Sequence, residues 1–323
     1  MDTLHKSSLF ANIPEYLSLC AEIVDYNVIK EKRFRPPLMI ESYKILEKPE
    51  NLTSKNVHLA NILGWCFEFI HTYMNMLDDI MDQREIRGNE LCWYKKEGVG
   101  LSGFNDSVFV YELAFILLDK YFNNTQSYLP IKQIFHEMNF RFITGELIDW
   151  KLKQSRSSDF TDFNANTFTS MGRNKGGFRV VEAPFHAACV LTDNNEEFYR
   201  IEDIVQNIGN AVQIDNDILD VFQNGKVKTD VGESIRQGQC TWLAVKLLEN
   251  GSEELQKIFK ENYGRAGQEY EQKVINVYLK MNLFDKYLQY RKENLEYIQA
   301  RVKQIPQQSM QNALINLFNM LFL

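Results

Sequence analysis

The chain has 323 residues, of which 45% are hydrophobic, so it is long enough to bury a large core. Its 36 Lys and Arg residues against 43 Asp and Glu residues give a net charge of −7 without a basic block, which argues against non-specific nucleic-acid binding. The charged fraction of 24% and the aromatic fraction of 13% argue against disorder, and the scarcity of Gly (16) and Pro (7) argues against a turn-rich all-β chain.

The cysteines and the N-terminus indicate the cellular compartment of the protein. The five cysteines are scattered and include no Cys-x-x-Cys pair, which is typical of thiols kept reduced. The N-terminal stretch carries acids and lacks both an apolar core and an Arg-rich pattern, so no signal or transit peptide is expected. No apolar run approaches the roughly 18 residues of a spanning helix, so the sequence predicts a cytoplasmic protein without a membrane span.

Apolar residues recur at helical spacing along most of the chain. The first long run, 57–81, is apolar on most of its circumference, which is typical of a buried helix. Further helical runs follow at 108–122, 131–152, 178–191, 201–222, 241–248 and 269–283. No break is rich enough in Pro, Gly or Ser to mark a domain boundary. The pattern predicts an all-α helical bundle of about a dozen helices, folded as one domain over residues 1–323.

An acidic cluster closes the first long run. Asp78 and Asp82 are four residues apart and project from the same helix face, where like charges repel unless a cation lies between them. Acids at a helix C-terminus are also disfavoured by the macrodipole. Carboxylate oxygens suit Mg²⁺, so Asp78, Asp79 and Asp82 indicate a metal site; the alternative is a solvated acidic helix end.

A second cluster, Asp215 to Asp220, ends a later apolar run. Asn216, Asp220 and Asn224 share one face if the helix continues to residue 224, whereas Asp217 and Asp220 share a face in any case. A diphosphate held by Mg²⁺ between the two acidic helix ends is a reasonable ligand. A solvated helix end is the alternative here too.

Further motifs follow in a familiar order. Gly145 and Asp149 enclose Glu146, Lys175 precedes Gly176, and Lys226 follows the second cluster. Together with the acidic clusters, these motifs resemble those of the trans-isoprenyl diphosphate synthases of the farnesyl diphosphate synthase type, with Glu146 in place of Gln. The resemblance covers nearly the whole chain. It implies an isoprenoid synthase fold with a central active-site cavity, a homodimer, and Mg²⁺-assisted ionisation of an allylic prenyl diphosphate.

The resemblance also implies residue roles. Asp79 and Lys175 join Asp78 and Asp82 in catalysis, and Asn216, Asp217 and Asp220 are metal ligands beside Asp78 and Asp82. The residues implied for the substrate diphosphate are Lys32, Arg35, Arg87, Lys175 and Lys226. The bulky Tyr73 and Met74 are expected to limit the cavity to a C10 or C15 chain, with C15 favoured; the alternative is that both are ordinary core residues. The polar Asn75 is a candidate to face the substrate cation or a water.

Three departures from the family concern the pocket for isopentenyl diphosphate. Glu31 replaces a Gly, Gly88 and Asn89 follow Arg87 where a second Arg is expected, and the C-terminus is apolar instead of basic. Each lost charge-assisted hydrogen bond removes roughly 1.5–3 kcal/mol. We therefore expect a terpene synthase, a lyase that converts farnesyl diphosphate alone into a sesquiterpene. The alternatives are a prenyltransferase that condenses isopentenyl diphosphate with an allylic diphosphate, and a non-catalytic partner subunit.

Overall fold

The computed structural model describes residues 12–29, 34–155, 160–228 and 233–322. These residues are mostly helical, and their only sheets are two hairpins with strands of two residues each. The all-α prediction is confirmed. The chain divides into two compact units, the first of residues 1–135 with 190–193 and the second of residues 136–189 with 194–323. The single domain over 1–323 stays a prediction.

The first unit is built from long helices joined by short turns. Its helices and strands are α1 (Leu17–Val24), α2 (Arg35–Leu46), α3 (Ser54–Met81), β1 (Ile86–Arg87), β2 (Glu90–Leu91), α4 (Gly103–Phe122) and the beginning of α5 (Tyr128–Ser155). A π-helical turn, Asp25–Ile29, extends α1. Helix α3 packs against both α2 and α4.

Helix α3 positions the first acidic cluster. The Thr53 side chain caps its first turn by accepting a hydrogen bond from the backbone N–H of Asn56 at 3.2 Å. A Cβ on Gly64 would lie 2.6 Å from the Cα of Pro36, so only glycine lets α2 approach this closely. The helix ends at Met81, and Gln83 takes a positive φ of 54°. Asp78 and Asp79 therefore lie in its last turn, and Asp82 directly follows it.

The second unit contains the remaining helices. They are the rest of α5, α6 (Ala165–Gly172), α7 (Ala183–Leu191, whose last two residues belong to the first unit), α8 (Asn195–Val221), α9 (Ser234–Gln237), α10 (Trp242–Asn250), α11 (Glu253–Asn262), α12 (Gln268–Lys280), α13 (Leu283–Val302) and α14 (Gln308–Phe322). Strands β3 (Phe222–Gln223) and β4 (Lys226–Val227) form a hairpin after α8. Buried aromatic residues such as Phe259 and Tyr278 fill the core.

A π-helix overlaps the beginning of the predicted helical run 178–191. Residues Arg173–Glu182 form this π-helix and lead into α7. Gly177 of the π-helix and Gly209 of α8 are in backbone contact, because a Cβ on either would lie 3.1–3.2 Å from backbone atoms of the other. The wider turn carries Lys175, and π-helical turns are frequent at functional sites.

The structure corrects one helix boundary and bears on two further points of the sequence analysis. The run 269–283 is not one helix, because α12 ends at Lys280 and Asn282 adopts a positive φ of 50° before α13 begins. Helix α8 does not continue to Asn224, which lies in the turn of the β3–β4 hairpin with a φ of 50°. In the part of the chain that the structure describes, one segment, Gly100–Phe122, is long and apolar enough to cross a membrane by length and composition alone, and 39% of its most apolar window is buried.

Candidate functional site

The first acidic cluster is largely shielded from solvent. The Asp78 and Asp79 side chains in the last turn of α3 belong to residues only 7% and 5% exposed, and Asp82 at the helix end is half-buried. The backbone N–H of Asp82 donates to the carbonyl oxygen of Asp78 at 2.8 Å, which fixes the local turn. Two adjacent buried carboxylates need a cation, because burial and mutual repulsion both oppose their charge.

Arg87 supplies that positive charge. Its Nε donates to both carboxylate oxygens of Asp79 at 2.9 and 3.0 Å, and its Nη2 donates to Oδ2 of Asp78 at 3.1 Å. Arg84 adds an ion pair to Asp79 at 3.3 Å. Burial raises the pKa of Asp79 above its ordinary value, while the bonds from Arg87 oppose that rise. The guanidinium of Arg87 thus lies where a metal cation would neutralise the same oxygens.

The β1–β2 hairpin explains why Arg87 is followed by Gly and Asn. Arg87 pairs with Glu90 across the hairpin, so Gly88 and Asn89 form its two-residue turn, and both have positive φ, 60° and 70°. Such a turn favours Gly and Asn and disfavours a second Arg. The departure noted in the sequence therefore has a structural cause, since this turn delivers Arg87 to the two carboxylates.

A cavity of about 420 Å³ adjoins the cluster in the first unit. Its lining includes Asp79, Arg87, Asn75, Met76 and Trp93. Of the residues predicted to shape a substrate cavity, Asn75 lines this one, whereas Tyr73 and Met74 do not. Tyr73 instead packs on Tyr111 with ring centroids 4.8 Å apart, and Met74 is fully buried in α3.

Arg35 belongs to a buried hydrogen-bond network. The backbone N–H and Nη1 of Arg35 donate to the carboxylate of Glu68 at 3.3 and 3.4 Å, and its Nη2 lies 3.0 Å from Nδ1 of His71. Nε2 of His71 lies 3.0 Å from the amide of Asn75. Because a guanidinium only donates, Nδ1 of His71 must accept, and the neutral ring carries its hydrogen on Nε2. Nε2 faces Nδ2 of Asn75, so the Asn75 amide has to turn and present its oxygen before that N–H finds an acceptor. This chain fixes the Asn75 amide at the cavity wall.

Two predicted diphosphate ligands remain to be placed. Lys32 lies outside the described residues. Lys226 is exposed on strand β4, directly after the turn formed by Asn224 and Gly225.

Lys175 belongs to a compact charged cluster in the second unit. Its Nζ lies 3.0 Å from Oδ2 of Asp149 and 3.2 Å from Oε2 of Glu146. Lys153 also binds Oδ2 of Asp149, at 3.0 Å. A Cβ on Gly145 would lie 2.8 Å from the backbone nitrogen of Lys175, so glycine permits the backbone contact that places Lys175 beside the two acids.

The second acidic cluster divides into different environments. Asp217 is 8% exposed, and its two carboxylate oxygens accept from Nε2 of Gln213 at 3.0 Å and from the backbone N–H of Trp242 at 2.8 Å. Burial raises the pKa of Asp217 to about 7, although both hydrogen bonds oppose the rise. Asp220 is half-buried and accepts from the backbone N–H of Ser234 at 3.2 Å and from its hydroxyl, while Asn216 is exposed.

Comparison with known proteins places the chain in a family. The sequence profile of the family described as Polyprenyl synthetase matches residues 17–281. The chain belongs to the polyprenyl synthetase family. Farnesyl pyrophosphate synthase 1 of Cannabis sativa is 31% identical over 293 residues, which cover 90% of this chain and 86% of that protein. Geranyl diphosphate synthase of Ips pini is 30% identical over 319 residues, which cover 94% of this chain and 76% of that protein.

Solved structures of this family share the fold. The structure of T. brucei farnesyl diphosphate synthase aligns with this chain at a TM-score of 0.89 and 20% sequence identity. The alignment covers 97% of this chain and 92% of that chain, which shows a common fold. The expected isoprenoid synthase fold is confirmed, and the protein is an enzyme of the prenyl diphosphate synthase type.

The predicted terpene synthase is wrong. Similar proteins such as those of Cannabis sativa, Ips pini and Arabidopsis thaliana are named farnesyl or geranyl diphosphate synthases, which are transferases and not lyases that form sesquiterpenes. The prediction gave decisive weight to three departures in the pocket for isopentenyl diphosphate. One of them, Gly88, serves a tight turn, and similarity along most of the chain outweighs such local differences.

The donors of the first cluster fit Mg²⁺. Mg²⁺ is commonly bound through one or two carboxylates together with waters and substrate phosphates. The last turn of α3 offers such carboxylates in Asp78 and Asp82, and Arg87 shows that the cluster accepts a positive charge. Within residues 12–29, 34–155, 160–228 and 233–322, no three His, Cys, Asp or Glu residues form a complete metal-binding group. Substrate oxygens would therefore have to complete the coordination.

Sequence reasoning missed the residues that orient the site. Glu68, His71 and Gln213 contact Arg35, Asn75 or Asp217, and the backbone N–H of Trp242 holds Asp217. One signal was available, because Glu68, His71 and Asn75 are polar residues at helical spacing within an apolar run. No such signal marks Trp242, since it acts through its backbone.

Proposed function

We propose that the protein is a prenyltransferase that condenses isopentenyl diphosphate with an allylic prenyl diphosphate to give geranyl or farnesyl diphosphate. The acidic last turn of α3, with Asp79 and Arg87 lining a cavity of about 420 Å³, is the observation on which the proposal rests. The similarity to farnesyl and geranyl diphosphate synthases over at least 90% of the chain supports the choice of reaction.

In this proposal Asp78 and Asp82 bind Mg²⁺ through their carboxylates, and Asn216 and Asp220 provide oxygen ligands in the second cluster. Bound Mg²⁺ would act as a Lewis acid that neutralises the departing diphosphate. Asp217 has both carboxylate oxygens engaged by Gln213 and Trp242, so its role is to hold α8 and α10 together. This assignment favours Asn216 and Asp220 over Asp217 as ligands.

The basic residues orient the diphosphate groups. Lys175 and Lys226 add positive charge, and the same role is proposed for Lys32, which lies outside the described residues. Arg87 can serve a diphosphate oxygen once a metal cation replaces it on Asp78, since a guanidinium forms several directed hydrogen bonds. Arg35 contributes through His71 and Asn75, because its charge is already shared with Glu68.

A short product is favoured by the packing next to α3. Tyr73 contacts Tyr111 at 4.8 Å, Tyr111 contacts Phe115 at 5.0 Å, and Phe115 contacts Phe135 at 5.8 Å between ring centroids. A longer chain that passes beside Tyr73 would have to displace one of these rings. A C10 or C15 product is therefore proposed, made by a cytoplasmic homodimer.

The test is incorporation of labelled isopentenyl diphosphate. The purified protein is incubated with Mg²⁺, radiolabelled isopentenyl diphosphate and either dimethylallyl or geranyl diphosphate, and products are analysed after dephosphorylation. We expect labelled geraniol or farnesol, and none when EDTA replaces Mg²⁺. Conversion of an allylic diphosphate to a hydrocarbon without incorporation of label would contradict the proposal. Absence of any product with either allylic substrate would instead support a non-catalytic subunit.

A further inference from the structure

The cluster around Lys175 contains two acids, Glu146 and Asp149. Glu146, Asp149 and Lys153 lie on one face of α5, and Lys175 approaches them from the π-helix. Oδ2 of Asp149 binds both Lys153 and Lys175 at 3.0 Å. Asp149 therefore contacts both lysines, and Glu146 adds a second carboxylate to Lys175.

The additional acid changes the charge of the cluster. The formal charges of Lys153, Lys175, Glu146 and Asp149 sum to zero. Without the negative charge of Glu146, the net charge of these residues would be positive. The side chains are shielded, with 7% of Glu146 and 18% of Lys175 exposed, so solvent screens their interaction only in part. Two of the three N–H donors of Lys175 point to carboxylate oxygens.

We infer that Glu146 is a positioning residue that competes with the substrate for Lys175 and thereby weakens diphosphate binding. The inference rests on the proposed function, in which Lys175 binds a diphosphate. A diphosphate oxygen that approaches the ammonium group must share its donors with Glu146 and is repelled by that carboxylate. The consequence is weaker retention of inorganic diphosphate, and so faster release of this product.

The direct test is the affinity for inorganic diphosphate, measured by isothermal titration calorimetry on the full chain in the presence of Mg²⁺. Glu146→Gln removes the negative charge while keeping the size of the side chain, and Asp149 still holds Lys175. We expect the Kd for inorganic diphosphate to fall about tenfold, which corresponds to about 1.4 kcal/mol. A merely structural role predicts the opposite sign, because damage to a site weakens binding.

Two controls separate the local effect from general electrostatics. Glu137→Gln makes the same charge change on the same helix, at a side chain that is 45% exposed and paired with Arg141, and should leave the Kd unchanged. In a Lys175→Met background, Glu146→Gln should have no effect, because Glu146 acts through Lys175. An unchanged or higher Kd for the folded Glu146→Gln variant, or an equal gain in the Lys175→Met background, would overturn the inference.

Steady-state kinetics supply a second readout. In Glu146→Gln, inorganic diphosphate should become a stronger product inhibitor, and the KM for the allylic diphosphate should fall together with kcat. The inference and the proposed function can fail separately. A protein that does not incorporate isopentenyl diphosphate but binds inorganic diphosphate more tightly after Glu146→Gln would contradict only the function. Normal incorporation with an unchanged diphosphate affinity would contradict only the inference.

Discussion

Arg87 shows how one side chain can hold an acidic cluster ready for a metal ion. It donates to Asp78 and Asp79 from the strand that follows α3. Without Arg87, two neighbouring carboxylates would be buried with much less positive charge nearby to offset their desolvation and mutual repulsion. Arg87 therefore holds Asp78, a residue that the proposed Mg²⁺ site also uses.

Replacement of Arg87 should make folding depend more on Mg²⁺. In EDTA we expect the Arg87→Met variant to have a lower Tm than the wild type, because Asp78 and Asp79 lose the positive charge of the guanidinium beside them. Addition of Mg²⁺ should then raise the Tm of the variant more than that of the wild type. Thermal unfolding with and without Mg²⁺ measures both. An equal Mg²⁺ shift in the two proteins would mean that metal and Arg87 do not use the same oxygens.

Asp82 provides the sharpest test of the metal assignment. Asp82→Asn keeps the helix end in place but removes one negative oxygen ligand, so kcat should fall by about two orders of magnitude or more at saturating Mg²⁺. The matched control is Glu85→Gln, since Glu85 is exposed and lies 3.8 Å from Lys95. A variant that keeps more than about a tenth of the wild-type rate would contradict the assignment, because its activation free energy would have risen by less than about 1.4 kcal/mol.

Helices α7 and α8 are joined by a buried histidine. The ring of His186 stacks on Phe198 with centroids 3.9 Å apart, and its Nε2 lies 2.7 Å from Oδ1 of Asn195, to which it donates. Burial lowers the pKa of His186 below its ordinary value, although the bond to Asn195 opposes this. The folded protein therefore holds the ring neutral at a pH where the unfolded chain binds a proton.

The sign of the resulting pH dependence follows from linkage. Because the pKa is lowered in the folded state, the unfolded state binds more protons, and stability falls as the pH drops below about 6.5. His186→Gln should remove this part of the dependence, whereas the exposed His58→Gln should keep it. Denaturant unfolding at pH 5.5 and 7.5 measures the difference. A stability that changes equally with pH in the wild type and in His186→Gln would contradict the burial argument.

At the scale of the whole molecule, the exposed face of α5 is the candidate surface for the proposed homodimer. Its large apolar side chains are Phe140, Ile143, Leu147 and Trp150, which are 72%, 43%, 63% and 59% exposed. Their helical spacing makes a continuous apolar stripe about three turns long. Apolar stripes of this kind are usually covered, and a second copy of the chain can cover two of them at once about a two-fold axis.

Disruption of the stripe should therefore give a monomer. Leu147→Glu introduces a charge at its centre, and light scattering should show the mass fall from about twice 37.9 kDa to 37.9 kDa. Leu279→Glu is a suitable control, because Leu279 is an exposed apolar residue on a different helix. A wild type that is monomeric, or a Leu147→Glu variant that stays dimeric, would contradict this surface.

Much of the architecture was available from the sequence, because helical periodicity is a local property. The runs 57–81, 108–122 and 131–152 all lie within observed helices. The acidic last turn of α3 followed from the position of Asp78 and Asp82 at the end of an apolar run. The sequence also contained the turn signals Gly88-Asn89 and Asn224-Gly225. The structure shows that both pairs form the turns of hairpins and that all four residues have positive φ.

The division of roles among the charged residues depended on tertiary structure. Periodicity cannot show that Arg87 binds Asp78 and Asp79, that Glu68 and His71 engage Arg35, or that Glu146 meets Lys175. Asp217 is the clearest case, because one of its partners is the backbone of Trp242, 25 residues later, and a backbone N–H has no signature in the sequence. The sequence determined which residues carry charge and on which helix face they lie. Folding decided which charges are already neutralised, since that depends on distances of a few ångströms between segments far apart in the chain.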